Sequence, residues 1–201
     1  MKNVYFSTPI IIAGGLISNS FGQVQLPENI SIRPQTKIGF EYFLTDQAHR
    51  DISIGTVYAE QTFRIRKKPW DRISFGWNAC LYYASGNSTQ VDQPEPGPFS
   101  VRTGGFGISA VARLHIFDFR GGTCFADLVP GFAWFTDQFP PKGSRVNGSY
   151  RYGLGVRYRL SPGKSIEFGI RKIHISNGGG LVPSNPAYNG TGIFVSFGQR
   201  F

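Results

Sequence analysis

Long apolar runs, charged residues and cysteines are all scarce in this 201-residue sequence. Charged residues make up only 16% of the chain, and stretches rich in Lys and Glu, which are typical of helices, are absent. After Gln23 every apolar run is short and is broken by charge or glycine, which excludes a transmembrane helix in that part of the chain. Glycine, with 26 residues, and aromatic side chains, at 15%, are abundant instead. This composition favours a single all-β domain.

The charge that is present is mostly positive, with 21 Lys and Arg against 12 Asp and Glu and a formal net charge of +9. A basic protein can bind nucleic acid, but here the arginines are dispersed along the chain and form no cluster on one segment. We therefore expect no nucleic-acid partner, and we expect anionic lipid instead.

The beginning of the chain has the pattern of a secretory signal. Lys2 precedes an apolar run over residues 4–17, and small residues follow it. Polar residues and a proline interrupt the run, which is shorter than the ~20 residues of a bilayer span, so the alternative of a retained anchor helix is disfavoured. The sequence predicts a signal peptide over residues 1–22 and a mature domain over residues 23–201.

Alternation of apolar and polar residues dominates the chain from residue 36 onward. In residues 150–160, YRYGLGVRYRL, one row is aromatic and aliphatic, and the other consists of Arg and Gly. About eight segments share this period of two, which is the signature of a transmembrane β-barrel. A soluble periplasmic β-sandwich or lipocalin-like binder would show the same alternation. The segments are residues 37–44, 57–65, 73–82, 106–116, 126–134, 150–160, 166–171 and 193–197.

Three further features favour the barrel. The chain ends in Phe201 after an alternating strand, as outer-membrane barrels do, and aromatic residues lie near the strand ends. Connection lengths also alternate, with the longer ones on one side. We predict an eight-stranded antiparallel transmembrane β-barrel in the bacterial outer membrane, with long outer loops and short periplasmic turns. The predicted outer loops are residues 47–51, 86–102, 138–145 and 177–189, and the predicted turns are residues 67–70, 118–121 and 161–164.

The inward row of such a barrel carries charges of both signs. An eight-stranded barrel is filled by side chains, so these charges are expected to pair with each other and to close the interior. This argues against a channel. The inward set is Glu41, Glu60, Arg64, Arg113, Asp127, Arg151, Arg157, Glu167 and Arg171.

The two cysteines, Cys80 and Cys124, could form a disulfide in an oxidising compartment. Counting the alternation places Cys80 on the inward row and Cys124 on the outward row. Their side chains then point apart, which disfavours a disulfide.

A histidine and a serine lie two residues apart in the segment SIEFGIRKIHIS. Counting by twos from Ile166 places His174 and Ser176 on the lipid-facing row, at the outer end of the strand. They are either ordinary interfacial residues or a serine nucleophile with its imidazole base. In the second case the turn after residue 176 would present amide groups to a tetrahedral oxyanion.

The segment HISNGGG, followed by NPAYNG, resembles the H-x-S-N motif and downstream loop of the lipid A 3-O-deacylase (PagL-like, acyloxyacyl hydrolase) outer-membrane family. The resemblance covers the last third of the chain. It implies an eight-stranded barrel whose outer wall hydrolyses the ester-linked 3-position acyl chain of lipid A, without metal or cofactor. It further implies that Ser176 is the nucleophile, that His174 is the general base, and that Asn177 and the Gly178 backbone form the oxyanion hole.

The sequence departs from that pattern at one position. The family has a Glu in the downstream loop that orients the histidine, and the aligned residue here is Asn189. No acidic residue lies between Ser176 and Phe201. Replacing a triad carboxylate by Asn cost a serine protease about ten-thousand-fold, yet Cys-His-Asn enzymes work. The alternative to an esterase is therefore a catalytically silent barrel with a structural or adhesive role.

Three basic residues are candidates for contact with the phosphates of lipid A. Lys172 lies on the same row as His174, and Lys142 and Arg145 lie in the preceding outer loop. Generic contact of outer basic residues with lipopolysaccharide is the alternative. The sequence leaves a homodimer open.

Overall fold

A computed structural model of the protein describes residues 2–12, 15–26, 32–65, 68–89, 98–177 and 186–200. The first two strands form a two-stranded antiparallel sheet of their own, and the other eight close into a barrel. The predicted signal peptide covers the first strand and part of the second, and its cleavage stays a prediction. The strands are β1 Lys2–Ile12, β2 Gly15–Leu26, β3 Ile32–Thr45, β4 Arg50–Ile65, β5 Ile73–Thr89, β6 Pro98–Phe119, β7 Gly122–Phe135, β8 Val146–Ser161, β9 Lys164–Ser176 and β10 Tyr188–Arg200.

Each barrel strand pairs antiparallel with its neighbours in chain order, and β10 pairs with β3 to close the barrel. The prediction of an all-β, eight-stranded antiparallel barrel is confirmed. The one short helical element described is a 3-10 turn at Trp70–Arg72. Among the described residues, no helix is both long enough and apolar enough to cross a membrane.

The apolar row of each strand faces outward, as the alternation predicts. Leu154 is 62% exposed and Ile108 63% exposed, whereas their inward neighbours are buried or partly buried. A soluble sandwich would bury these apolar side chains in its core, whereas here they face outward. The alternative of a soluble sandwich therefore does not fit the structure. The exposed apolar wall belongs against hydrocarbon.

Ion pairs fill the middle of the barrel. Arg113 contacts Asp127 and Glu167, each at 2.9 Å, and Arg171 contacts Asp127 at 2.5 Å and also Glu41. Burial of a guanidinium is costly unless it is paired, and these arginines share their carboxylates in a continuous network. The predicted internal pairing is confirmed for the inward charges that make these ion pairs, whereas Arg64 donates to the carbonyl of Asp71 at 2.7 Å.

Both cysteines are free thiols. Cys80 is buried inside the barrel, and Cys124 is partly exposed on the wall. The two side chains lie on the faces that the alternation predicts, Cys80 inward and Cys124 outward.

The connections differ from the predicted ones in three places, and the one after β9 is described with the site below. The predicted 86–102 loop is too long, because β5 and β6 continue to pair from Gly86 opposite Val101 to Thr89 opposite Pro98. The predicted tight turn at residues 67–70 is too short, because residues 66–72 join β4 to β5. The other two turns of that end are tight: Gly121 and Gly163 adopt φ values of 85° and 79°, which glycine reaches without strain.

A cluster of aromatic residues closes the outer end of the barrel interior. The ring of Phe139, from the β7–β8 loop, lies 4.7 Å from that of Phe135 and 5.6 Å from that of Tyr188. The Tyr188 hydroxyl donates a hydrogen bond to the carbonyl of Ile52. Tyr188 is thereby fixed on the inside, and the alternation of β10 turns the next residue, Asn189, to the outside.

Candidate active site

The outer end of β9 carries the histidine and serine on the lipid-facing row. Ile173 and Ile175 point inward and are buried at 2% and 0% exposure. His174 and Ser176 therefore point outward, His174 partly exposed and Ser176 only 8% exposed.

The two outward side chains contact each other. Nε2 of His174 lies 3.0 Å from Oγ of Ser176. This distance suits transfer of the hydroxyl proton to the imidazole, which is the first requirement for a serine nucleophile.

Asn189 completes a row of three side chains. It was predicted to lie in the loop over residues 177–189, but it is part of β10 and pairs directly with His174 across the β9–β10 ladder. The ladder continues to the rim of the barrel, which is why the loop is shorter than predicted. Oδ1 of Asn189 lies 2.7 Å from Nδ1 of His174.

This contact determines the form of the imidazole. The Asn189 amide oxygen can only accept, so Nδ1 of His174 must carry the proton and donate it to Oδ1. In the neutral ring Nε2 is then unprotonated and accepts from the Ser176 hydroxyl, as a general base must. An amide thus gives the tautomer that the family's carboxylate would give, although without a negative charge.

The β3–β4 connection holds Asn189 in place. The Asn189 carbonyl accepts from the amide of Asp46 at 2.9 Å and from the hydroxyl of Thr45 at 3.3 Å. The backbone N–H of Asn189 donates to Oε1 of Gln47 at 3.4 Å. Arg50 donates to the same Gln47 oxygen at 3.1 Å and to the carbonyl of Ala187. The residues Thr45, Asp46, Gln47 and Arg50 are called the Asn189 clamp below.

Sequence reasoning missed the Asn189 clamp, because its members lie more than a hundred residues from the motif. Barrel closure is the signal that could have found them. It places β3 beside β10, and therefore the first outer connection beside residues 187–189.

Lys172 is the candidate substrate-binding residue nearest to the site, two positions before His174 on the same exposed row. Its ammonium lies 3.5 Å from Oδ2 of Asp46, which also accepts from the Thr191 hydroxyl at 2.9 Å. Tyr150 of β8 lies opposite His174, with the two rings 6.2 Å apart. Polar groups and an aromatic ring therefore surround the histidine at the rim.

The other predicted site residues are placed as follows. Asn177 directly follows Ser176 and is buried, whereas Gly178 lies outside the described residues. Lys142 lies with its ammonium 4.8 Å from the ring of Phe99 in β6, three strands from β9. Arg145 is exposed, and its carbonyl accepts from the amide of Phe135. These contacts unite His174, Ser176 and Asn189, and they direct Lys142 towards β6.

An apolar groove of about 1290 Å³ runs along the outer wall below the rim. Lys172 lies at its rim end. The backbone of Gly153, Gly155 and Gly169 forms part of its base between the flanking side chains. Across the ranges that the structure describes, no group of three His, Cys, Asp or Glu side chains could hold a metal ion. The main outward groups that line the groove are Tyr152, Leu154, Phe168, Ile170, Ile193 and Val195.

The fold matches solved structures of outer-membrane barrels. The outer membrane enzyme PagL is 17% identical, with a TM-score of 0.54 and coverage of 80% of this chain and 97% of that one. Neisserial surface protein A (NspA) is 13% identical, with a TM-score of 0.58 and coverage of 87% and 100%. OprG from Pseudomonas aeruginosa is 11% identical, with a TM-score of 0.52 and coverage of 84% and 96%. No curated protein matches the sequence.

Fold and comparisons together define a bacterial outer-membrane β-barrel protein. Residues 53–197 match the family described as lipid A 3-O-deacylase (PagL), a span that includes His174, Ser176 and Asn189. The chain belongs to that family.

Proposed function

We propose that the protein is an outer-membrane serine esterase that removes the ester-linked 3-position acyl chain from lipid A of lipopolysaccharide. The observation that carries this proposal is the continuous set of contacts from Ser176 through His174 to Asn189, on the lipid-facing rim. Membership of the lipid A 3-O-deacylase family supplies the substrate class.

In the proposed reaction, Oγ of Ser176 attacks the acyl carbonyl while Nε2 of His174 takes the hydroxyl proton. The tetrahedral oxyanion is bound by the side-chain amide of Asn177 and the backbone N–H of Gly178. The intermediate then expels the sugar hydroxyl, which receives its proton from His174. A water molecule, activated by the same imidazole, cleaves the acyl-serine and releases the fatty acid. Asn189 is a positioning residue that keeps Nδ1 protonated throughout.

The surroundings of the site support a lipid as substrate. The apolar groove starts beside Lys172 and descends the wall, where an acyl chain would lie in contact with Leu154, Phe168 and Ile170. The polar headgroup would then remain at the rim, within reach of Lys172. Metal or cofactor has no role in this proposal, and nothing among the described residues supports a homodimer.

Mass spectrometry of lipid A tests the proposal. Cells that produce the wild-type protein should lose the 3-position acyl chain from lipid A, and cells that produce Ser176→Ala should retain it. Ser149→Ala, which alters a serine that faces into the barrel from the paired strand β8, is the matched control and should deacylate as the wild type does. Identical lipid A from wild type and Ser176→Ala would refute the esterase.

The second candidate is a catalytically silent barrel with a structural or adhesive role. The observation that favours it is Asn189 in place of the family's carboxylate. This candidate predicts that the wild type leaves lipid A unchanged and that Asn189→Glu creates deacylation. A wild type that deacylates lipid A excludes it.

A further inference from the structure

The periplasmic mouth of the barrel contains a polar cavity that the proposed esterase does not use. It has a volume of about 650 Å³ and lies at the end where the tight turns join β6 to β7 and β8 to β9. This volume is within the range of about 300–1,000 Å³ that is usual for small-molecule sites. The outer rim with Ser176 is at the opposite ends of the same strands, so the two sites are separate.

Positive charge dominates the lining of this cavity. Five basic side chains and two acidic ones line it, and one of the five, Arg157, is paired with Glu167, so four basic groups remain against two acidic ones. Among the described residues, Lys68, Arg159 and Lys164 make no ion pair. Asp118 already accepts a hydrogen bond from Thr123 at 2.5 Å. The basic groups are Arg64, Lys68, Arg157, Arg159 and Lys164, and the acidic ones are Asp71 and Asp118.

The floor of the cavity is closed. Nε of Arg157 lies 2.6 Å from Oε1 of Glu167, and Nε2 of Gln35 donates to the Ser165 hydroxyl at 2.9 Å. Above these contacts lies the buried ion-pair network of the barrel. A molecule that enters from the periplasm is therefore held in a cavity with a single opening, called the cup below, and does not cross the barrel.

We propose that this cup binds a water-soluble, phosphate-bearing small molecule from the periplasm. A phosphate group carries up to two negative charges, which matches an unneutralised excess of basic groups better than a single carboxylate does. Arg159 offers a planar pair of N–H donors to two phosphate oxygens, and Lys68 and Lys164 add mobile point charges at the edge. Gln35, Thr123 and Ser165 provide polar groups for the remainder of the ligand.

The cup opens along the barrel axis into water, and this favours a soluble phosphate over a lipid headgroup. Its basic groups are close to bulk solvent, so binding is expected to weaken as salt is added.

Titration calorimetry of the full chain in zwitterionic micelles at low salt tests the proposal, with inorganic pyrophosphate as the probe. We expect saturable binding to the wild type. Arg159→Ala and Lys164→Ala should each weaken it, by about tenfold for the stronger contributor. The matched control is Arg120→Ala, which removes one charge from an exposed residue of the β6–β7 turn that does not line the cup.

Two results would overturn the site: no saturable binding by the folded wild type, or equal weakening by Arg120→Ala and Arg159→Ala. A second arm adds phosphatidylglycerol to the micelles. Unchanged pyrophosphate binding supports the soluble source, and displacement by the lipid overturns it in favour of a headgroup. Deacylation of lipid A is not measured in either arm, so failure of this site and failure of the esterase are distinguishable.

Discussion

Asn189 and His174 are direct partners across the β9–β10 ladder, with Oδ1 of the amide 2.7 Å from Nδ1 of the ring. The contact joins a residue of the last strand to the base of the candidate nucleophile. It also makes the chemistry of one amide decisive for whether the barrel is an enzyme.

Asn189→Asp should increase kcat for lipid A deacylation. The substitution preserves the size of the side chain and its place opposite His174, and it adds a charge that stabilises the imidazolium formed in the reaction. A hydrogen bond with an ionised partner is roughly twice as strong as a neutral one, so a gain of about tenfold is expected. Asn189→Ala should lower kcat by about a hundredfold or more, because the ring loses its tautomer. Release of fatty acid from purified lipid A measures both.

Asn87→Ala is the control for these variants, since Asn87 is an exposed asparagine of β5, four strands from β9. It should deacylate at close to the wild-type rate. An unchanged kcat in Asn189→Ala would refute the positioning role.

Gln47→Ala should lower kcat several-fold with little change in KM. The substitution removes the side-chain oxygen that accepts hydrogen bonds from the backbone N–H of Asn189 and from Arg50. Asn189 is then held less firmly beside His174. His49→Ala, an exposed side chain in the same connection, is the matched control and should leave kcat unchanged. A fall in kcat that is the same in both variants would show that the connection matters only for folding.

Ile170→Trp should reduce deacylation of lipid A and spare a short soluble ester such as p-nitrophenyl acetate. Ile170 lines the groove and is 60% exposed, so a larger ring obstructs a long acyl chain without entering the barrel. Ile108→Trp, on an equally exposed wall position of β6 outside the groove, should affect neither substrate. Equal loss on both esters would mean that the substitution damages the triad and does not block the groove.

Arg171→Met should destabilise the barrel by about 3 kcal/mol or more, as measured by urea unfolding in micelles. Arg171 contacts both Asp127 and Glu41, and its removal leaves part of their negative charge buried without a partner. Arg120→Ala, which removes an exposed arginine, should leave the unfolding midpoint unchanged. Equal midpoints in the two variants would contradict the structural role of the network.

The period of two predicts most of this structure, because a strand offers only two faces. Counting from Ile166 is sufficient to turn His174 and Ser176 outward, and counting along each strand separately is sufficient to place the buried charges inside. The sequence could not predict where a ladder ends. The pairing of β5 with β6 beyond Gly86, and of β10 with β9 from Tyr188 onward, depends on the residues of the opposite strand. The sequence alone therefore predicts Asn189 in a loop. The Asn189 clamp was beyond reach for the same reason, since Gln47 meets Asn189 only when β3 and β10 join.

The junction of β3 with β10 joins the first and last strands of the barrel and closes the cylinder. His174 and Ser176 can approach each other on β9 alone, and Asn189 can join them within the β9–β10 hairpin. Gln47, Asp46 and Thr45 arrive only when the cylinder closes. A chain in which β3 has not yet met β10 thus lacks the contacts that hold Asn189 beside His174, and the proposed site is complete only in the closed barrel.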